Sequence, residues 1–318
     1  MVWYQMNKYS RFHHLFTFKY YRKKTMKLLS KNLLIFFSLC FVSCEFDKDD
    51  DHEHAELITL ENCDGLIDAN VPDFYKKYFN CVDVSVSSVQ GGAVILSTKG
   101  LPPYESMYYS HEYENHTDFV SQGDGYYINP NTISEQSYSM SIQEAPVSRN
   151  LTINSSLVDG VIGTSNNEYD MSSQGIALNG VILFNPLAGP GDDIEDETYS
   201  FDPYNGHPEM MGVYHYHTTS KGPLEALKFN GFIQIATIGS AEIELYGMMC
   251  DGTLILGCTE LNGSLPDNSD FDAQNGHLHD MTDGTNVFFS NRYHTHICTD
   301  TYTSHKFTPE IQYYDGCN

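Results

Sequence analysis

The chain has 318 residues, with 17 Lys/Arg against 42 Asp/Glu and a formal net charge of −25 when the histidines are neutral. Eight of the basic residues fall in the first 43 positions, which hold no acid, so the rest of the chain sets nine basic side chains against 42 acidic ones. A surface of that sign excludes nucleic acid and anionic membrane faces as natural partners and concentrates cations beside it.

Taken in chain order, residues 1–43 read as a signal peptide. A basic region precedes the apolar run Leu33-Leu34-Ile35-Phe36-Phe37-Ser38-Leu39-Cys40-Phe41-Val42, which ends at Ser43-Cys44. The run is too short for a spanning helix. Met26, followed by Lys27 and Leu28, is the more natural start, which makes residues 1–25 an over-extended beginning. Phe41-Val42-Ser43-Cys44 resembles a bacterial lipobox with Phe41 in place of Leu, so Cys44 is the expected lipidation site and a lipid bilayer an expected partner. Residues 44–56 form an acidic tether too polar to fold. It resembles the signal that sends bacterial lipoproteins to the outer face of the outer membrane, the expected location.

Beyond residue 57 one short helix is predicted around Asp73–Phe79. Elsewhere short apolar alternations between Gly, Asn, Asp and Pro clusters predict strands. The expected fold is mainly β: a disulfide-bonded, β-sandwich-like exported domain, with an N-terminal β segment over 57–150 and a second domain over 151–318. Six cysteines lie beyond Cys44, an even number in an exported chain, and 15 pairings are open to them. Nearest-neighbour pairing (63–81, 250–258, 298–317) is the expectation.

The chemistry sits in a repeat. Phe201-Asp202-Pro203-Tyr204-Asn205-Gly206-His207 recurs as Phe271-Asp272-Ala273-Gln274-Asn275-Gly276-His277, so both copies read F-D-x-x-N-G-H. Each is followed by Y-H-x-H: Tyr214-His215-Tyr216-His217, then Tyr293-His294-Thr295-His296. Asn-Gly favours a tight turn with positive φ, which places His207 and His277 at strand starts. In a strand His215 and His217 share a face roughly 6–7 Å apart, close enough to converge on one ion. The predicted metal ligands are therefore His207, His215, His217, His277, His294 and His296. Asp202 and Asp272 are further candidates, as ligands or as acceptors for the second ring N–H of a ligand histidine. A hydrogen-bonded histidine strand without metal is the plainer alternative.

These motifs resemble the YHYH-domain proteins. The resemblance runs over roughly residues 95–317 and takes in Gly175-Ile176-Ala177-Leu178-Asn179-Gly180-Val181, the loop from Asn185-Pro186 to Asp193, and the segment Gly247–Gly257. It implies an exported domain without an established activity. The chain departs from the family where Tyr204 and Gln274 replace a common cysteine, where Thr295 replaces tyrosine, and in the inserted Leu278-His279-Asp280-Met281; His279 is a replacement ligand or a loop residue.

Imidazole and carboxylate ligands without thiolate suit a divalent transition metal, copper or zinc first. Asp192, Asp193, Glu195, Asp196 and Glu197 form an acidic loop without EF-hand spacing; it reads as solvated, with calcium the weaker option. Asp251-Gly252 reads as a hairpin turn, and His111, His116 and His305 as unmatched surface residues. The leading function is metal binding, with the two halves facing one shared pocket. The alternatives are a metal-dependent hydrolase or oxidase, with an open position on the metal, and a structural or glycan-binding surface module that uses tyrosine for stacking.

Overall fold

A computed structural model describes residues 57–87, 92–300 and 304–317. The leader, Cys44, and His52 and His54 of the tether lie outside the described residues. Helix α1 (Asp73–Tyr78) starts behind Pro72, whose fixed φ suits a helix entry, and buries Phe74, Tyr75 and Tyr78. Strands β1 (Asp83–Ser87), β2 (Ala93–Thr98) and β3 (Tyr138–Gln143) form an antiparallel sheet in that order. Their period-2 pattern puts Val84 opposite Leu96, and Val94 opposite Ile142, on the buried face. Strand β4 (Val147–Ser148) pairs with the last strand of the chain.

The larger sheet has eight strands. Its first half holds β5 (Gly175–Ala177), β6 (Ile182–Leu183), β7 (Gly206–Pro208) and β8 (Tyr214–Tyr216), with the short helix α2 (Ile194–Glu197) between β6 and β7. Helix α3 (Lys221–Phe229), capped by the Ser220 hydroxyl on the Gly222 N–H, separates it from the second half. That half holds β9 (Leu245–Met249), β10 (Leu254–Leu256), β11 (Gly276–Thr282) and β12 (Val287–His296), and β13 (Tyr314–Asp315) closes the chain against β4.

The strand order, β11-β12-β10-β9-β5-β6-β8-β7, is a palindrome in structural terms. The pairs β5·β6 and β9·β10 are antiparallel, β6·β8 and β10·β12 parallel, and β8·β7 and β12·β11 antiparallel. The halves meet antiparallel at β5·β9, with Ile176 opposite Met248. Registers repeat as well: Ile182 faces His215 as Leu254 faces His294, and His207 faces His215 as His277 faces His294. The duplication legible in the histidine motifs thus extends back to the Asn179-Gly180 and Asp251-Gly252 hairpins. The second is a turn, as expected, with the Gly252 N–H on the Met249 carbonyl.

The fold is mainly β with three disulfides. The small sheet and the large one share a core in which Val94, Leu96 and Ile142 join Ile176, Met248 and Leu254. Among the described residues no helix is long and apolar enough to cross a membrane.

Cys63 pairs with Cys81, as nearest-neighbour reasoning expects. The other two bonds correct that expectation: Cys250 joins Cys317, and Cys258 joins Cys298. Cys250 sits at the turn of the β9–β10 hairpin and Cys258 beyond its open end, so roughly 15 Å of strand separates them, far outside disulfide reach. The parallel pairing of β10 with β12 sets Leu256 beside His296, and two residues on it brings the Cys258 and Cys298 Cα atoms within 4.4 Å.

Candidate metal centres

Each F-D-x-x-N-G-H segment is a closed loop pinned by its aspartate. The Asp202 N–H donates to the Gly206 carbonyl at 2.9 Å, and the Asp272 N–H does the same to Gly276 at 2.9 Å. Asp202 Oδ1 accepts the N–H groups of Tyr204 and Gly206, while Oδ2 accepts the hydroxyls of Ser106 (2.6 Å) and Tyr214 (2.8 Å). Asp272 repeats this with Gln274, Gly276 and Tyr293. Asn205 and Asn275 take the positive φ, 57° in each. Gly206 and Gly276 are needed for a different reason: a Cβ there would lie 2.4 Å from Tyr214 and 1.9 Å from Tyr293. The tyrosine of each Y-H-x-H strand therefore rests against the loop and grips its aspartate, and this fixes the histidine face of the same strand.

That face presents three imidazoles. His207, His215 and His217, all buried, form one group; His277, His294 and His296 form the other, joined by Glu260. Phe201 stands edge-on to His207 at 4.9 Å and lies near-parallel to His217, and Phe271 does the same to His277 and His296. Each residue named in the motif thus has a physical task.

The ring nitrogens define the chemistry. His215 Nδ1 lies 2.9 Å from the Val213 carbonyl and His217 Nδ1 2.5 Å from that of Asn185; in the second half His294 meets Arg292 at 3.0 Å and His296 meets Gly257 at 2.9 Å. A carbonyl only accepts, so these four Nδ1 atoms carry the proton. His277 Nδ1 donates to the Asp270 carboxylate at 2.9 Å. The Ser200 hydroxyl, 2.6 Å from His207 Nδ1, already donates to the Glu197 carbonyl and so accepts from the ring. All six neutral rings are left with a bare lone pair on Nε2.

Those lone pairs face one another. His215 Nε2 is 3.1 Å from His207 Nε2 and 3.0 Å from His217 Nε2, and His277 Nε2 is 3.3 Å from His296 Nε2. Glu260 adds oxygens 3.2 Å from His277, 3.2 Å from His294 and 3.5 Å from His296. His294 Nε2 and Glu260 Oε1 are buried without a hydrogen-bond partner. Ligands bound at about 2.0–2.1 Å in a tetrahedral site stand about 3.3 Å apart, and the observed spacings fit that edge. The residues present therefore fit a metal ion. Protons are the competing cation, and burial disfavours them at the first centre. It holds His207 and His215 well below the ordinary histidine range and lowers His217 to about 4.

The two centres differ in their carboxylate. Glu197, from α2, approaches His207 and His217 only to 3.7 and 3.6 Å, and burial raises its pKa. Burial presses the Glu260 carboxyl upward, and only protonated His294 and His296 would outweigh it and hold the group below its usual range. Phe184 stacks on His215 at 3.7 Å, while Leu256 holds the corresponding place in the second half.

Two expectations are corrected by this geometry. Asp202 and Asp272 enter neither group, because the loops and the tyrosine hydroxyls take up their oxygens. The halves do not close one pocket either: β8 and β12 lie five strand spacings apart in the sheet, roughly 24 Å. Of the unmatched histidines, His111 is exposed, but His116 and His305 are half-buried, and His305 stands 5.6 Å from Phe201. The acidic loop is solvated at Asp192, Asp193, Glu195 and Asp196, while Glu197 turns inward. Glu197 in this role, and Glu260 altogether, escaped the sequence reading. Tyr104, Tyr214 and Tyr216 are buried in one hydrogen-bonded cluster.

No curated protein and no solved structure matches the chain. Residues 158–264 match the family model described as YHYH protein. That span holds the whole first centre and Glu260 and stops short of the second F-D-x-x-N-G-H copy. On that match, the chain carries a YHYH domain over residues 158–264.

Proposed function

We propose that this protein binds a divalent transition metal at two separate centres: His207, His215 and His217 with Glu197 nearby, and His277, His294 and His296 with Glu260. One observation carries the reading. The Nε2 lone pairs of His207 and His217 lie within 3.1 Å of that of His215 in a buried site where burial disfavours imidazolium. Imidazole and carboxylate ligands without thiolate favour zinc or copper, and the acidic surface raises the local cation concentration. The signal-like leader and Cys44 support an exported chain held by a lipid anchor, facing outward from a bacterial outer membrane. Calorimetric titration of chelator-treated, untagged protein with Zn2+ and with Cu2+ tests the binding. Tight uptake that disappears when both His215→Ala/His217→Ala and His294→Ala/His296→Ala are combined is expected; unchanged uptake in that quadruple variant refutes the assignment.

A second reading, hydrolysis at the first centre, rests on Glu197. Its carboxylate oxygen lies 3.7 and 3.6 Å from the Nε2 atoms of His207 and His217 and outside the three-imidazole group, beside any water that a bound ion would hold. A bound divalent ion supplies Lewis-acid activation of that water. Glu197, with its pKa raised by burial, is placed to take up the proton. Glu197→Gln is expected to keep the ion and abolish any chelator-sensitive turnover of a panel of esters and phosphodiesters.

A further inference from the structure

The second half carries polar groups that the first half lacks. His279 lies two residues beyond His277 on β11 and so on the same face of the strand. Its side chain is 43% exposed, against 1% for His277 and 0% for His294. The His279 ring stands 4.3 Å from that of His277. Its Nε2 is 3.4 Å from Asp270 Oδ2, and its Nδ1 is 3.8 Å from Glu260 Oε1, the buried oxygen without a partner. Asp270, 48% exposed, holds His277 Nδ1 with its other oxygen at 2.9 Å. Asp270, His277 and His279 thus form a further group with ligand spacing, open to water on one side and contiguous with Glu260 on the other. In the first half Glu209 stands where His279 does, and its Oε1 is taken by the N–H groups of Met211 and Val213.

We propose that Asp270 and His279 form an outer cation position that captures a divalent transition metal from solvent and passes it through Glu260 to the buried histidines of the second centre. The inference rests on the metal-binding reading above. An anionic carboxylate and a half-exposed imidazole exchange their waters for an incoming ion without opening the core. Glu260 Oε1, 3.2 Å from His277 Nε2 and 3.8 Å from His279 Nδ1, is the shared step between the two positions. Among the described residues the first centre has no such relay. A position occupied during entry and left at the end changes the rates of uptake and release in equal proportion and leaves the equilibrium constant alone.

The test follows Co2+ uptake by visible absorption in the full-length, chelator-treated chain carrying His215→Ala/His217→Ala, which leaves the second centre alone. Adding His279→Gln is expected to slow uptake and release alike by about tenfold, the scale on which local charge and steering alter association rates. The final ion count and the affinity should stay unchanged. Asp270→Asn keeps an acceptor for His277 Nδ1 while removing the charge, and should slow uptake similarly. Uptake at the parent rate in both variants overturns the outer position. So does a loss of affinity at an unchanged uptake rate, which would make His279 a resident ligand. Absence of Co2+ uptake by the unaltered protein overturns this inference and the metal-binding reading together, whereas a rate-only failure leaves that reading intact.

Discussion

At the scale of single residues, the histidines are oriented more by what their Nδ1 atoms donate to than by their own spacing. Val213, Asn185, Arg292 and Gly257 supply backbone carbonyls, and Ser200 and Asp270 supply side-chain oxygens. Such partners fix the tautomer and raise ligand basicity. Asp202 has a different task, and substitution separates the two. Asp202→Ala strands the Tyr214 hydroxyl and two loop N–H groups, so it should cost about 2–3 kcal/mol of stability while leaving the ion count unchanged; thermal unfolding and elemental analysis of the same sample check both halves. Gly276→Ala forces a methyl group against the Tyr293 hydroxyl and should cost about 1–3 kcal/mol by overpacking, measured by denaturant unfolding.

Acidity acts on the same residues. Folded His217 titrates at about 4 because it is buried, while in the unfolded chain it titrates at the ordinary histidine value of 6.5. Between those values the unfolded chain binds the proton and the folded one refuses it, so metal-free protein should lose stability as pH falls from about 6.5 to about 4. Bound metal needs a neutral Nε2, so metal affinity should fall over the low-pH end as well. Denaturant midpoints of the chelated protein across that range test the first statement; a midpoint that holds steady or rises with falling pH contradicts it.

At the scale of elements, a strand delivers two histidines to one face by its period of two, and the Asn-Gly turn sets a third beside them, which is why the two histidine groups were legible in the sequence. The loop and strand motifs are local, so their tasks follow from residue type and spacing. The carboxylates were not legible because they arrive on connections of unrelated length. Glu197 lies four residues ahead of Phe201 and Glu260 eleven ahead of Phe271, on segments that share no pattern. Two of the three disulfides failed for the same reason: pairing of Cys258 with Cys298 follows from the parallel β10·β12 register, which only the tertiary fold reveals. That bond ties the segment carrying Gly257 and Glu260 to the end of β12 carrying His296. Cys258→Ser/Cys298→Ser should therefore weaken metal binding at the second centre by about tenfold, the lower end for lost support of a ligand, and leave the first centre unchanged. Titration of this pair in backgrounds that retain one centre each would show it; equal weakening at both would mean a global loss of stability instead.

At the scale of the whole molecule, the palindromic sheet explains why two like centres stand apart. The halves join through β5·β9, their innermost strands, and this carries the histidine strands outward to the two ends. A duplication joined through its outer strands would have brought the histidine sets together, and the motif alone does not distinguish the two arrangements. The centres are thus expected to be thermodynamically independent, since sites this far apart with no shared ligand act additively. Elemental analysis of the untagged protein and of its two double variants, after equilibration with Zn2+ and removal of loosely held ions, tests this most directly. The unaltered chain should hold two ions, and His215→Ala/His217→Ala and His294→Ala/His296→Ala should each retain one, at unchanged affinity. A chain that holds no ion, or variants that each lose all of it, would contradict two private histidine centres.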